Sequence, residues 1–357
     1  MRFLRLFSQP PTLSPDSEEP NPQSPIPNPR SPATRRILVL LIKAALAVLV
    51  IWAVARHVMQ TWQELHSQGR SVRLDPAWLA VSVVLYLVGL SCFGVFYWQI
   101  LSASPTPVRL AAAVRAYLVS HLGKYVPGKA MVVVIRAGLV VPYGARPATA
   151  AFATLYETLI MMAAGGLLAA AGFALWRMPA LPISLGSQLG VRLSPTALSL
   201  ALGVAFLFLT LPAVFPRLSA WVSIPFPGVG PDALPRFSGA LLVSGLIYAS
   251  IGWTLLGVSQ VAVVRALTPT GVALNLWPLV VASVALATVS GFVVAILPGG
   301  LGVRELVIMI TLAPAVGSAL AVVAALALRL AWVIGEVLVA VGLSVARPPL
   351  PRRTETC

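Results

Sequence analysis

The sequence predicts an all-α fold: a polytopic integral membrane helical bundle with two broken or re-entrant Pro-Gly elements. Three observations carry this. Hydrophobic residues make up 58% of the 357 and charged residues only 10%, with a mean hydropathy of +0.91. A soluble domain of this length needs far more charge to cover its surface. Several apolar stretches reach the ~20 residues that cross the hydrocarbon core as a helix, and the alternating ~10-residue pattern of a transmembrane barrel is absent. Two short Pro-Gly turns carry cations into otherwise apolar sequence, where broken backbone is tolerated only against protein or a water-filled cavity.

Taken in order, residues 1–34 are Pro-rich and polar, as in Pro20-Asn21-Pro22-Gln23. They predict a disordered cytoplasmic tail that lacks the apolar surface to offset ordering entropy. Arg35-Arg36 precede the first span, Ile37–Ala55. Ala53-Val54-Ala55 looks like a cleavage site, but the apolar stretch is too long for a signal peptide and starts too far in, so retention as an anchor is expected. Pro76–Leu101 is the second span. The region Pro107–Val141 then holds two apolar pieces, Leu110–Leu122 and Ala130–Val141, each too short to cross. Between them lies Gly123-Lys124-Tyr125-Val126-Pro127-Gly128-Lys129. Proline removes an amide donor and glycine permits positive φ, so the helix breaks there. Two half-helices entering and leaving on one side fit, as does a pair of interfacial helices.

Later spans are expected at Thr149–Trp176, Thr196–Phe215, Ser238–Val264, Trp277–Leu297 and Val316–Ala346. Ser223–Arg236 reads as a surface loop. The second break is Leu297-Pro298-Gly299-Gly300-Leu301-Gly302-Val303-Arg304-Glu305, followed by the short segment Leu306–Ala313, and residues 347–357 form a short basic tail. With both termini inside, cations such as Arg35, Arg36, Arg109, Lys124, Lys129, Arg146, Arg217 and Arg352 fall on the cytoplasmic side. They outnumber Arg56, Arg70, Arg73, Arg177, Arg192 and Arg265 outside, as the positive-inside rule requires. This predicts a multi-pass protein of the cell (inner) membrane with a cytoplasmic N-terminus, and a second break that dips in from the outer face.

The net charge of +15 does not point to nucleic acid, because the cations lie in loops between spans and no folded basic domain exists to hold a duplex. Cys92 and Cys357 form no redox or disulfide framework, and His57, His66 and His121 share no metal-ligand spacing. No metal or cofactor is expected. Nucleophile elbow, HExxH pair, P-loop and aspartate-rich phosphotransfer motif are all absent, so the protein is not expected to be an enzyme.

Three charges lie inside predicted spans: Glu157, Arg329 and Glu336. Each costs roughly 2.5–3.5 kcal/mol at the bilayer centre unless paired or wetted. Arg329 and Glu336 share a helical face about two turns apart, too far for a direct bond. Each needs a partner from elsewhere, and Glu157 is the one expected for Arg329. Such a pair either fixes helix register or lines a polar cavity. A helix beginning near Val303 would aim free amides at the glycine-rich turn, a ready anion site to which Arg304 adds a bidentate donor and Glu305 complements the dipole. Lys124, Lys129 and Arg136 can make a similar site at the first break.

The two breaks resemble segments of a known family. Gly123 to Lys129 with Arg136-Ala137 resembles the G-K-Y-L-P-G-K…R-A segment of the lysylphosphatidylglycerol synthase transmembrane-region family, and Pro298 to Glu305 resembles its P-G-G-L-G-x-R-E segment. The resemblance covers roughly residues 35–346. It implies a flippase-like domain that moves a phospholipid, anionic or aminoacylated, between leaflets, with membrane lipids as partners. In that light Lys124, Lys129, Arg136 and Arg304 would hold phosphate and Glu157, Glu305 and Glu336 a cationic headgroup. Tyr125 and Arg329 complete the expected substrate-binding set; Gly123, Pro127, Gly128, Pro298, Gly299, Gly300 and Gly302 shape the turns. Thr158 stands where the family has an arginine beside the in-span glutamate, which puts a local ion pair in doubt. The chain ends at Cys357 and is expected to be the membrane domain without an aminoacyl-transferase part. Oligomeric state is open; small-residue stretches such as Ala163-Ala164-Gly165-Gly166 allow close helix contact.

Overall fold

The computed structural model describes residues 74–104, 108–125, 130–185, 189–223, 235–294 and 302–345. The predicted first span, both tails and the turn residues Pro127, Gly128, Lys129, Pro298, Gly299 and Gly300 lie outside the described residues. The described fold is a helical bundle of a polytopic membrane protein. Among the described residues five helices are long and apolar enough to cross a bilayer, or six spans if a bent pair counts as one.

The first of them, α1 (Pro76–Ser102), is started by Asp75, whose carboxylate accepts from the Ala77 amide at 2.9 Å, with Pro76 at the first helical position. Two half-helices follow, α2 (Leu110–Ser120) and α3 (Ala130–Val140), with a 3-10 turn at His121–Tyr125 after α2. At 11 residues each, they measure about 16 Å, roughly half a hydrocarbon core. Gly123 lets them meet: a Cβ there would stand 2.9 Å from the Val132 amide nitrogen.

Next come α4 (Pro147–Trp176), α5 (Pro195–Thr210), α6 (Phe215–Ser223), α7 (Gly239–Leu267), α8 (Trp277–Val293), α9 (Val303–Val316) and α10 (Ser318–Val345). Helix α4 runs close against α5, where Gly166 and Gly203 leave no room for a Cβ on either side. The largest helix contact is α1 along α7. Further contacts run from α7 to α8, α8 to α9, α9 to α10, and α10 back to α1, closing a ring of neighbours; α2 and α3 pack between α1, α10 and α4.

Three features depart from the sequence reading. The expected span Thr196–Phe215 breaks: α5 ends at Thr210 and α6 leaves at 76°. Pro212 disfavours helix at Leu211, which is extended at ψ 138°. The stretch between α4 and α5, where no element was expected, forms an antiparallel hairpin, β1 (Leu181–Leu185) with β2 (Leu189–Leu193). The short segment expected at Leu306–Ala313 is a 14-residue helix, α9, about 21 Å long against a core of ~30 Å. It opens at Gly302, whose φ of +82° suits glycine, and it closes at Gly317.

Candidate functional site

Two ionic centres form where the half-helices meet the long spans. The first ties α3 to α4. Arg136 Nη1 donates to Glu157 Oε2 at 3.0 Å, and Arg136 Nε donates to Ser120 Oγ at 3.0 Å. Tyr117 donates to Glu157 Oε1 at 3.0 Å, and the Thr158 hydroxyl reaches Oε2 at 3.4 Å. The guanidinium also lies over the rings of Tyr117 and Tyr97, at 4.0 and 5.1 Å. Arg136 and Glu157 are 2% and 1% exposed, so neither touches open solvent.

This corrects the sequence reading. The partner of Glu157 is Arg136, not Arg329. The arginine absent at Thr158 is replaced across the break, by α3. Arg136, too, is a charge in an apolar segment, Ala130–Val141. Tyr117 and Ser120 were missed, although Tyr117, Ser120, His121 and Lys124 form a polar stripe at helical spacing in an otherwise oily half-helix.

The second centre joins the 3-10 turn to α10 and α1. Lys124 Nζ lies 2.5 Å from Glu336 Oε1, and the Tyr86 hydroxyl donates to the same oxygen. His121 Nε2 is 3.8 Å away. Glu336 is fully buried, and its Oε2 has no hydrogen-bond partner among the described residues. Tyr86 stacks on Trp332 at 4.3 Å with the planes 11° apart, and Trp332 Nε1 donates to Ser259 Oγ at 3.0 Å. Tyr86, His121 and Trp332 were not among the expected site residues. Nothing local marks Tyr86 in an apolar span; only the packing of α1 on α10 does.

Beside this centre α9 contributes a third pair. Arg329 Nη1 donates to Glu305 Oε1 at 2.7 Å, while Glu305 Oε2 accepts from the Gly302 amide at 2.8 Å. The carboxylate thus caps its own helix and neutralises an arginine on α10. Arg304 turns the other way: Nη2 donates to Thr288 Oγ1 at 2.8 Å, and the guanidinium sits 5.5 Å from the Trp332 ring. Among the described residues Arg304 forms no ion pair.

These groups enclose a cavity of ≈ 20 Å³ between the 3-10 turn, α8, α9 and α10. Lys124, Tyr125, Thr288, Arg304, Glu305, Arg329 and Trp332 line it. Three cations therefore converge on one hollow, with Glu305 among them and Glu336 just behind Lys124. Of the expected substrate-binding residues, the cavity gathers Lys124, Tyr125, Arg304, Glu305 and Arg329. Glu336 adjoins it through Lys124; Arg136 and Glu157 form their own centre outside it. Gly123 and Gly302 stand at the described edges of the two breaks, and Lys129 lies outside the described residues.

The model of one family, the lysylphosphatidylglycerol synthase TM region, matches residues 39–340. The chain belongs to the lysylphosphatidylglycerol synthase TM region family. Membership makes this a membrane protein connected with lipid handling. A search of the curated proteins finds no significant match. In this member of the lysylphosphatidylglycerol synthase TM region family, described residues flanking both breaks, Lys124 and Tyr125 at the first and Arg304 and Glu305 at the second, line one polar hollow.

Proposed function

We propose that the protein binds an anionic or aminoacylated phospholipid, or a similar lipid-linked headgroup, and translocates it between the leaflets of the cell (inner) membrane, with its own N-terminus cytoplasmic. One observation carries this reading: Lys124, Arg304 and Arg329 meet at a single cavity inside the bundle, and Arg304 lacks a carboxylate partner among the described residues. An unpaired guanidinium inside a membrane protein is costly, so a mobile anion is the natural counter-charge. Arg304 matches a phosphate as a bidentate donor, and Lys124 adds a point charge. Glu305 and Glu336 would accept from the ammonium of an aminoacylated headgroup. The reading assigns the protein no bond-making step.

A leaflet-resolved assay in reconstituted vesicles tests it. Arg304→Gln is expected to slow translocation of a labelled anionic lipid about tenfold or more, the worth of one charge-assisted hydrogen bond. Unchanged movement in that variant would remove the basis of the reading. The size of the cavity favours a second possibility. A hollow of ≈ 20 Å³ admits a water molecule and little more, which suits a non-transporting accessory protein that organises lipid or a membrane enzyme. Such a protein would bind lipid in the same assay and show no leaflet exchange.

A further inference from the structure

Three carboxylates stand at the ionic centres, and they differ in how fully their oxygens are used. Glu157 gives Oε2 to Arg136 and Thr158 and Oε1 to Tyr117. Glu305 gives one oxygen to Arg329 and the other to the Gly302 amide. Glu336 is different. Lys124, Tyr86 and His121 crowd its Oε1, while Oε2, in a fully buried side chain, has no hydrogen-bond partner among the described residues. A bare oxygen at that depth is poorly solvated, and a proton placed on it breaks no hydrogen bond.

Lys124 faces two ways. Its ammonium lies 2.5 Å from Glu336 Oε1, and its side chain lines the cavity together with Arg304 and the Arg329–Glu305 pair. While Glu336 is ionised, the charge of Lys124 is answered behind the cavity, and Arg304 is the cation without a carboxylate among the described residues. With a proton on Glu336, Lys124 joins Arg304, and the hollow presents two such cations. An anion there is held more tightly by the protonated form. By linkage, the anion strengthens the binding of the proton by the same factor.

The other groups around Glu336 leave it this role. Tyr86 faces it from α1, and His121, Lys124 and Tyr125 from the 3-10 turn; Arg304 and the paired Glu305 stand on α9, and Arg329 two turns back on α10. Arg115 of α2 is held on the Leu343 carbonyl, two turns further on, at 2.7 Å. From α7 the Ser259 hydroxyl reaches Trp332. Among these, His121 is the side chain that ordinarily titrates near neutrality. It is 3.8 Å from Oε1 and 15% exposed where Glu336 is sealed, so it is the more accessible of the two.

We propose that Glu336 is a proton-binding site coupled to the cavity through Lys124, so that an anionic phospholipid headgroup and a proton are bound together and released together. The proposal rests on the lipid reading above and adds the ion that accompanies the lipid. The proton comes from water, forms an O–H bond at Oε2, and returns to water when the anion leaves. A headgroup that brings its own ammonium satisfies the carboxylate directly, so the coupling belongs to the anionic lipid.

Lipid binding to the full chain in detergent tests it. The probe is short-chain phosphatidylglycerol, the reference is phosphatidylcholine, and a pH dye in weak buffer counts protons. Between about pH 5 and 8, where histidine also titrates, the phosphodiester stays singly charged, so pH dependence belongs to the protein. The unaltered chain is expected to take up protons as it binds phosphatidylglycerol, and to bind it about tenfold more tightly at the acid end. Glu336→Gln, neutral throughout, is expected to bind at the acid-end level across the whole window and to take up none. Preference for phosphatidylglycerol with no proton uptake and a flat pH profile would overturn the proton site and leave the lipid reading standing. Uptake that persists in Glu336→Gln and disappears in His121→Gln would put the proton on the imidazole, again overturning the proposal alone. No preference for phosphatidylglycerol at any pH, or a preference that survives Arg304→Gln, would overturn both. The proton count on the unaltered chain decides the matter even where Glu336→Gln fails to fold.

Discussion

Glu157 and Glu336 are both buried carboxylates in apolar helices, yet they are held in different ways. Glu157 spends both oxygens: Arg136 and Thr158 on one, Tyr117 on the other. Its partner Arg136 is closed in by two tyrosine rings and Ser120. Removing one member leaves the other charged, buried and unable to reach water. Glu157→Gln is therefore expected to destabilise the protein by about 3–5 kcal/mol. A thermal-unfolding series in detergent checks this, with Arg136→Met and the double variant completing the cycle. The double variant should be more stable than the sum of the singles predicts; strict additivity would show that the pair does not interact. Glu336 concentrates Lys124, Tyr86 and His121 on one oxygen. Its lysine is 18% exposed and borders the cavity. Freed from the carboxylate, Lys124 can swing toward the hollow, so Glu336→Gln is expected to cost about half as much as Glu157→Gln, or less, in the same measurement.

The α2–α3 hairpin shows which physical signals survive in sequence and which do not. Its break was legible from Pro127 and Gly128, and the length of each arm from the apolar runs. Its fastening was not, because α3 pairs with α4 through Arg136 and the turn pairs with α10 through Lys124, and distances between elements have no local sequence signature. Pairing Glu157 with Arg329 was reasonable by charge and failed by topology: Arg329 is taken by the cap residue of α9. The bend at Leu211 falls inside the expected span Thr196–Phe215, whose apolar length gave no sign of it; Pro212 is its physical cause. The hairpin at Leu181–Leu193 follows only from strand pairing. Close approach of the two half-helices makes a testable demand. Gly123→Ala sets a Cβ 2.9 Å from backbone that cannot rotate away, and is expected to cost about 1–3 kcal/mol. Gly342→Ala, whose Cβ meets nothing, is expected to be neutral or to stabilise by up to about 1 kcal/mol. Equal unfolding midpoints for the two variants would show that the half-helices are not in contact at Gly123.

Among the described residues, charge is rationed: one carboxylate for Arg136, one for Lys124, one for Arg329, and for Arg304 the Thr288 hydroxyl in place of a carboxylate. The sequence made the depth of these charges plain and identified five residues that the cavity gathers. It could not show that Arg304 would have no carboxylate partner among the described residues, since that depends on Glu305 turning back to its own Gly302 amide and across to Arg329. The imbalance has a measurable consequence in the detergent-solubilised protein. A ligand that binds only the folded state raises the unfolding temperature in proportion to the logarithm of its concentration over Kd. Phosphatidylglycerol should therefore stabilise the protein more than phosphatidylcholine does. Arg304→Gln should erase that difference while leaving the lipid-free midpoint within a few degrees, because it removes a cation that has no carboxylate partner among the described residues and so leaves no buried charge behind. Glu157→Gln should do the reverse, lowering the lipid-free midpoint and preserving the preference for the anionic lipid. If Arg304→Gln kept the preference, the anion would be held elsewhere, and the converging cations would serve only to bind α9 and α10 to their neighbours.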